Sequence, residues 1–386
     1  MIFSQEDIRA FQNMAESFAE KSIRPVLGHD TPDGDLARVP ALMEKARENG
    51  LIASSNPEAP GHETGIWGRF AKDMGPRVSL LLLEELAAAC GGVALNAHVL
   101  GLSALVAGSA LECPEVPENT AVALLEGGFA FTPEVLRYPS RQFPAAVETV
   151  AEDRGDEVAL DGRKDFVCQA EGTRAYIVFA RTGDEWRAFL ADTDAHGLKA
   201  ESAGRRMGLR SAPVVHLVLE DVRVGKEREL QFGHPGYEAV LEYLRFYWLG
   251  NLAIATGVAR GALDAALAYA RERYQCCTEI INHPGVNSLL LGKAEAGIAA
   301  CQSLLDRASA GSGESFRNVA EAAGARLAGL DHAARAVTDC LQAFGGYGYM
   351  EDYGMEKRYR DVNTLKCMGG GPRDMKAVIV GFREGW

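Results

Sequence analysis

No C-x-x-C pair occurs in the sequence, and its cysteines (Cys90, Cys113, Cys168, Cys276, Cys277, Cys301, Cys340 and Cys367) are scattered. Neither a zinc ribbon nor a thioredoxin-type redox pair is therefore offered. Adjacent Cys276 and Cys277 are badly placed to bridge each other. Free, mostly buried thiols in a reducing, cytoplasmic setting are the expectation. The histidines (His29, His62, His98, His196, His216, His234, His283 and His332) show no metal-ligand spacing. A G-x-G-x-x-G is missing, because Gly346-Tyr347-Gly348 lacks the third glycine, and there is no Walker A lysine loop, H-E-x-x-H or G-x-S-x-G. Nicotinamide Rossmann enzymes, P-loop NTPases and zinc hydrolases thus find no support. Basic excess is also lacking: 40 Lys+Arg against 53 Asp+Glu give a net charge of −13. That balance argues against nucleic acid or an anionic membrane as partner, yet leaves room for a small anion in a local basic pocket. No uninterrupted apolar run reaches the ~18 residues of a spanning helix, since the best candidate, Trp248 to Ala270, is broken by Asn251, Arg260 and Asp264. The start, MIFSQEDIRAF, has neither the basic nor the apolar stretch of a secretory leader.

What is present is an ordinary globular composition, 47% apolar and 24% charged over 386 residues, enough for two or three domains. The chain reads in three parts: residues 1–120 as an N-terminal helical domain, 121–229 as a middle β domain, and 230–386 as a C-terminal helical bundle. In the first part, Ser4 and Asp7 form a capping-box pattern ahead of Ile8, Phe11, Ala15 and Phe18 at helical spacing, and Val78 to Leu111 reads as buried helix. In the second, short β-branched and aromatic runs alternate with turn chemistry, and Asp161-Gly162 predicts a hairpin after Glu157–Leu160. With no helical crossovers between the runs, an antiparallel sheet is expected. In the third, the proline-free stretch from Gly236 to His283 predicts one very long helix, followed by helices over 286–310 and 316–344 that Gly345-Gly346 stops. The fold class expected is α+β, with an N-terminal helical domain, a middle antiparallel β domain and a C-terminal four-helix bundle.

The C-terminal third carries a longer pattern: Gln342-x-x-Gly345-Gly346-x-Gly348-Tyr349, then Tyr353, then Glu356-Lys357-x-x-Arg360-Asp361. It resembles the signature of the acyl-CoA dehydrogenase superfamily. Glu84-Glu85-Leu86-Ala87, Gly208-Leu209-Arg210-Ser211, Glu220–Val224, Ala262-Leu263-Asp264 and Arg271-Glu272-Arg273 are similar to further family segments, so the resemblance runs through essentially the whole chain. It implies α,β-dehydrogenation of an acyl-CoA thioester by FAD and a carboxylate base, in a tetramer whose FAD is partly bound by a neighbouring subunit, with an electron-transfer protein as a further partner. By the resemblance, Arg273 contacts the FAD pyrophosphate, and Gln342, Gly345 and Gly346 meet the adenosine end of a neighbour's FAD. Phe166 lies beside the flavin ring, Thr132 approaches its pyrimidine side, and Cys168 stands where a Ser/Thr contacts the flavin. Each of these also has a plain packing or capping reading.

The departures are as informative as the matches. Counting from Arg360-Asp361 without a gap puts Gly369 on the catalytic Glu and Gly371 on the Thr that follows it. Glycine has no titratable atom, so the usual base is absent. Some relatives carry the base on the long bundle helix, and that position is Tyr247, which is a poor base but a competent proton donor; its alternative reading is a buried aromatic. His98 and Glu134 are the other acid/base candidates. Cys276-Cys277 replaces a Phe-Gly, and Arg245 and Trp248 replace an Asp and an Arg of the CoA slot. Three readings follow: a flavoenzyme acting on the α,β bond of an unusual acyl-CoA with relocated or altered chemistry; a non-catalytic subunit of a heteromeric acyl-CoA dehydrogenase; or a flavin-free binding protein on the same fold.

Overall fold

The computed structural model describes residues 5–27, 36–54, 58, 60–69, 71, 75–124, 148–170, 172–183, 185–311 and 315–384. The predicted capping residue Ser4 and the candidates Thr132 and Glu134 lie outside them. The chain opens with α1 (Gln5–Phe18), α2 (Val39–Glu48), α3 (Arg77–Ala89) and α4 (Gly91–Ser109). The predicted helix over Val78 to Leu111 is thus two helices. Cys90 breaks it with an extended backbone (φ −156°, ψ 114°), next to the helix-weakening pair Gly91-Gly92.

Nine strands follow: β1 (Ala110–Glu112), β2 (Thr120–Ala123), β3 (Val150–Arg154), β4 (Glu157–Cys168), β5 (Ala175–Thr182), β6 (Glu185–Asp192), β7 (Leu198–Ser202), β8 (Val214–Gly225) and β9 (Glu229–Phe232). They form one sheet in the order β1-β9-β6-β5-β3-β4-β8-β7, with β2 also on β5. The sheet is mixed, not purely antiparallel: β2 pairs with β5 in parallel, Thr120 opposite Ala175, and β3 touches β5 in parallel at Val150 and Arg181. Neither β2 nor β3 meets β5 through a tight turn, and it is the tight turn that enforces antiparallel pairing.

Asp161-Gly162 is not a hairpin either, because β4 runs straight through it. Gly162 (φ +146°) sits at a register shift against β8, where a Cβ would come within 2.6 Å of the Thr149 Cα. A glycine inside a strand pattern can mark a bulge or a close backbone approach as readily as a turn. The β3–β4 turn is Gly155-Asp156, flanked by the Arg154–Glu157 pair, with Gly155 at φ +73°.

The sheet has two working faces. Along β5, Tyr176, Val178 and Ala180 point into a core internal to the β layer, whereas Ala175, Ile177 and Phe179 join the core of the helices. The period-2 alternation of a strand makes that division. The helical core is centred on α5 (Gly236–Glu272), flanked by α6 (Lys293–Ser309), α7 (Ser315–Ala343), α8 (Met355–Cys367) and α9 (Pro372–Arg383). The proline-free stretch does not stay helical to His283. Arg273 is already extended (φ −76°, ψ 117°), and a two-stranded hairpin, β10 (Tyr274–Gln275) and β11 (Thr278–Glu279), turns at Cys276 and Cys277. Both cysteines are left-handed, at φ +47° and +67°, a conformation that non-glycine residues rarely announce in sequence. α4 and α5 are long and apolar enough on average to cross a membrane, but 89% and 67% of their most apolar windows are buried inside the protein.

One buried carboxyl couples this bundle to pH. Glu84 on α3 is 1% exposed, and burial raises its pKa to about 7 against the opposing pull of Arg260, Gln302 and Arg77. The folded state therefore keeps its proton where the unfolded chain has lost it. Stability is fully present below the unfolded value near 4.5 and falls as pH rises toward 7. The loss amounts to about 3 kcal/mol. Glu84→Gln removes it, so the stability gained over wild type, read by urea denaturation, should be about 3 kcal/mol greater at pH 8 than at pH 5. An equal difference at both pH values would refute the assignment.

Candidate active site

α8 ends at Cys367 and is followed by Met368 and three glycines. Gly369 is left-handed (φ +60°). A Cβ built on it would lie 1.9 Å from Cε1 of Tyr247, 2.8 Å from Cδ1 and 2.9 Å from Cζ. The two positions at which the sequence seeks a base therefore meet, and the ring of one fills the space of any side chain at the other. The glycine segment is pinned in place. Trp248 Nε1 donates to the Gly369 carbonyl at 2.6 Å. Arg326, from α7 and 1% exposed, donates to the carbonyls of Gly370 at 2.8 Å, Leu365 at 3.1 Å and Met368. Burial lowers the Arg326 pKa to about 10, so it remains a cation at neutral pH.

Tyr247 is 4% exposed and stacks on Tyr243 with ring centroids 5.7 Å apart. Burial, helped by neighbouring Cys168, pushes its phenol well above the ordinary value, while Asn251 and Arg326 pull the other way. The Cys168 thiol is likewise pushed up to about 12 by burial, against the pull of Arg206 and Tyr247. Both groups thus hold their protons at neutral pH, and Tyr247 is a donor, not a base.

His98 lies behind this pair, fully buried. Trp67 Nε1 donates to His98 Nδ1 at 2.7 Å, which leaves the ring proton on Nε2, 3.2 Å from the Tyr247 carbonyl. Burial lowers the His98 pKa to about 3. With both nitrogens engaged, His98 braces the backbone of Tyr247, and its stacked ring (5.7 Å, 25°) backs the phenol. Phe166, Cys168, Tyr243 and Tyr247 line one cavity of about 20 Å³, the room of roughly a single water. Phe166 reaches it from a bulge in β4, left-handed at φ +52° and 51% exposed. Its ring edge meets His216 at 4.8 Å, and His216 pairs with Asp165 at 2.5 Å.

The chain matches the acyl-CoA dehydrogenase N-terminal domain over residues 5–110 and the acyl-CoA dehydrogenase C-terminal domain over residues 234–383. It is 30% identical to a probable acyl-CoA dehydrogenase of Bacillus subtilis (strain 168), YngJ, over 379 residues, 96% of this chain and 95% of that one. The chain belongs to the acyl-CoA dehydrogenase family. It is also 27% identical to a 3-(aryl)acrylate reductase of Clostridium sporogenes, with 98% of each chain covered. In fold it resembles the glutaryl-CoA dehydrogenase of Mycobacterium smegmatis, with a TM-score of 0.80 at 21% identity over 100% of this chain and 96% of that one. As a member of this family the chain takes FAD as its cofactor.

The described residues fit a dinucleotide at the far end of α5. The Arg273 guanidinium lies 5.4 Å from the Tyr347 ring centroid, and its buried Nε has no hydrogen-bond partner. Among the described residues no carboxylate pairs with it, so its charge is available to a phosphate. Nothing lies within 4 Å of a Cβ built on Gly345 or Gly346, and Gly345 is left-handed at φ +58°. Exposed Gln342 completes the group. Tyr247 and Arg273 are 26 residues apart on α5 or at its end, or roughly 39 Å along the helix. The structure therefore gathers Tyr247, Gly369, His98, Phe166 and Cys168 at one place and Arg273, Gln342, Gly345 and Gly346 at another.

Sequence reasoning missed Arg326, Asn251 and Trp67. Arg326 did leave a signal, a lone cation in the small, apolar run Ala322–Leu330, since a charge on a packed face is seldom without purpose. Asn251, which interrupts the apolar run of α5, left a similar one. Arg245 turns away from the site, donating to the Gly311 carbonyl at 2.9 Å.

Proposed function

We propose that this chain is a flavoenzyme acting on the α,β bond of an acyl-CoA thioester in the direction of reduction, with Tyr247 as the proton donor to the α-carbon. The observation that carries this reading is the meeting of Gly369 and Tyr247. The site has exchanged an α-proton acceptor for a phenol that burial keeps protonated. Bound FAD supplies the two-electron chemistry at the β-carbon. The chain's own contribution is to hold a neutral O–H beside the substrate, with Arg326 close enough to favour the phenolate left when the proton departs. Cys168 and Phe166 shape the wall through which the ring system is approached. The name of the similar 3-(aryl)acrylate reductase supports the direction of reaction and suggests an aryl-substituted enoyl group.

Arg273, Gln342, Gly345 and Gly346 lie too far from Tyr247 to share one FAD with it, which supports an oligomer in which each chain closes a neighbour's cofactor site. A homotetramer or a hetero-oligomer with a homologous subunit satisfies this, with an electron-transfer protein as the redox partner and the cytoplasm as the location. In the flavin-loaded protein, Tyr247→Phe should slow reduction of an arylacryloyl-CoA by about 10²–10⁴ while leaving KM little changed. The test is single-turnover oxidation of the reduced flavin by cinnamoyl-CoA and by short enoyl-CoAs. A Tyr247→Phe rate equal to wild type would show that the proton comes from elsewhere.

A further inference from the structure

Asn251 lies one helical turn beyond Tyr247 on α5 and is wholly buried. Neither its Oδ1 nor its Nδ2 has a hydrogen-bond partner. An unmet amide in a protein interior is costly. Its immediate neighbours Gly250, Leu252 and Ala253 are all buried and supply no side-chain polar group. Residues four apart on a helix share a face, so Asn251 lies beside Tyr247 on α5, and it eases the ionisation of the phenol. Easing ionisation is what an amide N–H does when directed at the phenol oxygen, because it stabilises the charged form. The same orientation leaves the phenol its own O–H, which lies against the Cys168 sulfur.

We infer that Asn251 is a positioning residue: its Nδ2 is held ready to donate to Tyr247 Oη, so that the phenol proton faces the substrate and the departing proton leaves a stabilised phenolate. This rests on the reading of Tyr247 as donor. The step balances with the hydride that reduced FAD would supply to the β-carbon: the C=C π pair moves to the α-carbon and takes the Tyr247 proton, so one O–H bond breaks as one C–H bond forms and the O–H pair stays on Oη. Arg326, on α7, adds its charge from the other side of the glycine segment. The remaining titratable neighbours are Cys168, Tyr243 and the stacked His98, and all three are neutral.

Asn251→Leu should lower the single-turnover rate with cinnamoyl-CoA at least about tenfold with KM little changed, and should raise the solvent deuterium isotope effect on that rate, because proton transfer from Tyr247 becomes the slow step. Asn251→Asp, which cannot donate when ionised, should change the rate and the isotope effect in the same direction. An Asn251→Leu protein with the wild-type rate and isotope effect overturns the inference. If Tyr247→Phe is slow and Asn251→Leu is not, the donor reading stands and the role of Asn251 falls; if Tyr247→Phe keeps full turnover, the donor reading itself falls.

Discussion

Gly369→Glu alone should destabilise the protein by about 2–5 kcal/mol, whereas the same change combined with Tyr247→Gly should fold and remove an α-proton. The single change places a Cβ 1.9 Å from a fully packed ring and puts a side chain on a backbone at φ +60°. Overpacking costs about 1–3 kcal/mol and left-handed strain about 1–2 kcal/mol. Removing the Tyr247 ring vacates that space for the new side chain, which relieves the clash and leaves the backbone strain and the cost of about 1 kcal/mol of a glycine inside α5. The carboxylate then stands where the family places its base, with a function this chain otherwise lacks. Urea denaturation measures the first effect. Deuterium exchange from D2O into the α-position of a saturated acyl-CoA, followed by mass spectrometry, measures the second. A Gly369→Glu protein as stable as wild type would show that the ring does not own this space. A well-folded double variant without exchange would show that the loop no longer aims its side chain at substrate.

Much of this arrangement is legible in the amino-acid sequence. The order of helices, sheet and helices follows from periodicity alone, and the ends of α7 at Gly345 and of β4 near Cys168 fall where turn chemistry places them. The departures share one physical cause. Gly162, Cys90 and the Cys276-Cys277 turn are places where tertiary contact decides the backbone: the approach of Thr149, the docking of α3 against α4, and two left-handed residues that have no glycine. Local propensity is blind to such contacts.

The site shows the same division. Counting along the chain singles out Gly369 and Tyr247 separately, but nothing in the counting brings them together. That meeting depends on α8, its glycine segment and α5 packing around Arg326. It converts two separate departures from the family pattern into one compensated change. His98 illustrates the converse. A lone histidine in an apolar helix looks like a candidate acid or base, and only the Trp67 and Tyr247 contacts reveal that both nitrogens are already engaged.

Asp361→Ala should be the most damaging single change away from the site, at about 3–5 kcal/mol. Asp361 is 2% exposed. Its Oδ1 accepts the Leu209 N–H at 2.6 Å and its Oδ2 meets Lys357 Nζ at 2.5 Å. Two segments through which the sequence resembles its family, Gly208–Ser211 and Glu356–Asp361, are thus one joint between the β layer and the bundle. Gly208 is needed there because a Cβ would come within 2.5 Å of the Arg360 backbone. Burial pulls the pKa of Lys357 down, but Asp361 and the neighbouring Cys90 more than offset it and hold the ammonium above its ordinary range. Without Asp361, burial and the neighbouring Arg358 charge are opposed only by the Cys90 sulfur at 3.6 Å, so the folded pKa drops below that of the unfolded chain. A base with a depressed folded pKa destabilises the fold most at low pH and less as pH rises through that value. The penalty of Asp361→Ala, taken as the difference from wild type so that the Glu84 titration common to both cancels, should therefore be largest near pH 6 and shrink toward pH 9. Lys357→Met combined with Asp361→Leu, which removes both charges, should recover much of the stability. If the double variant were instead no more stable than Asp361→Ala at any pH, the unpaired Lys357 charge would not be the source of the penalty.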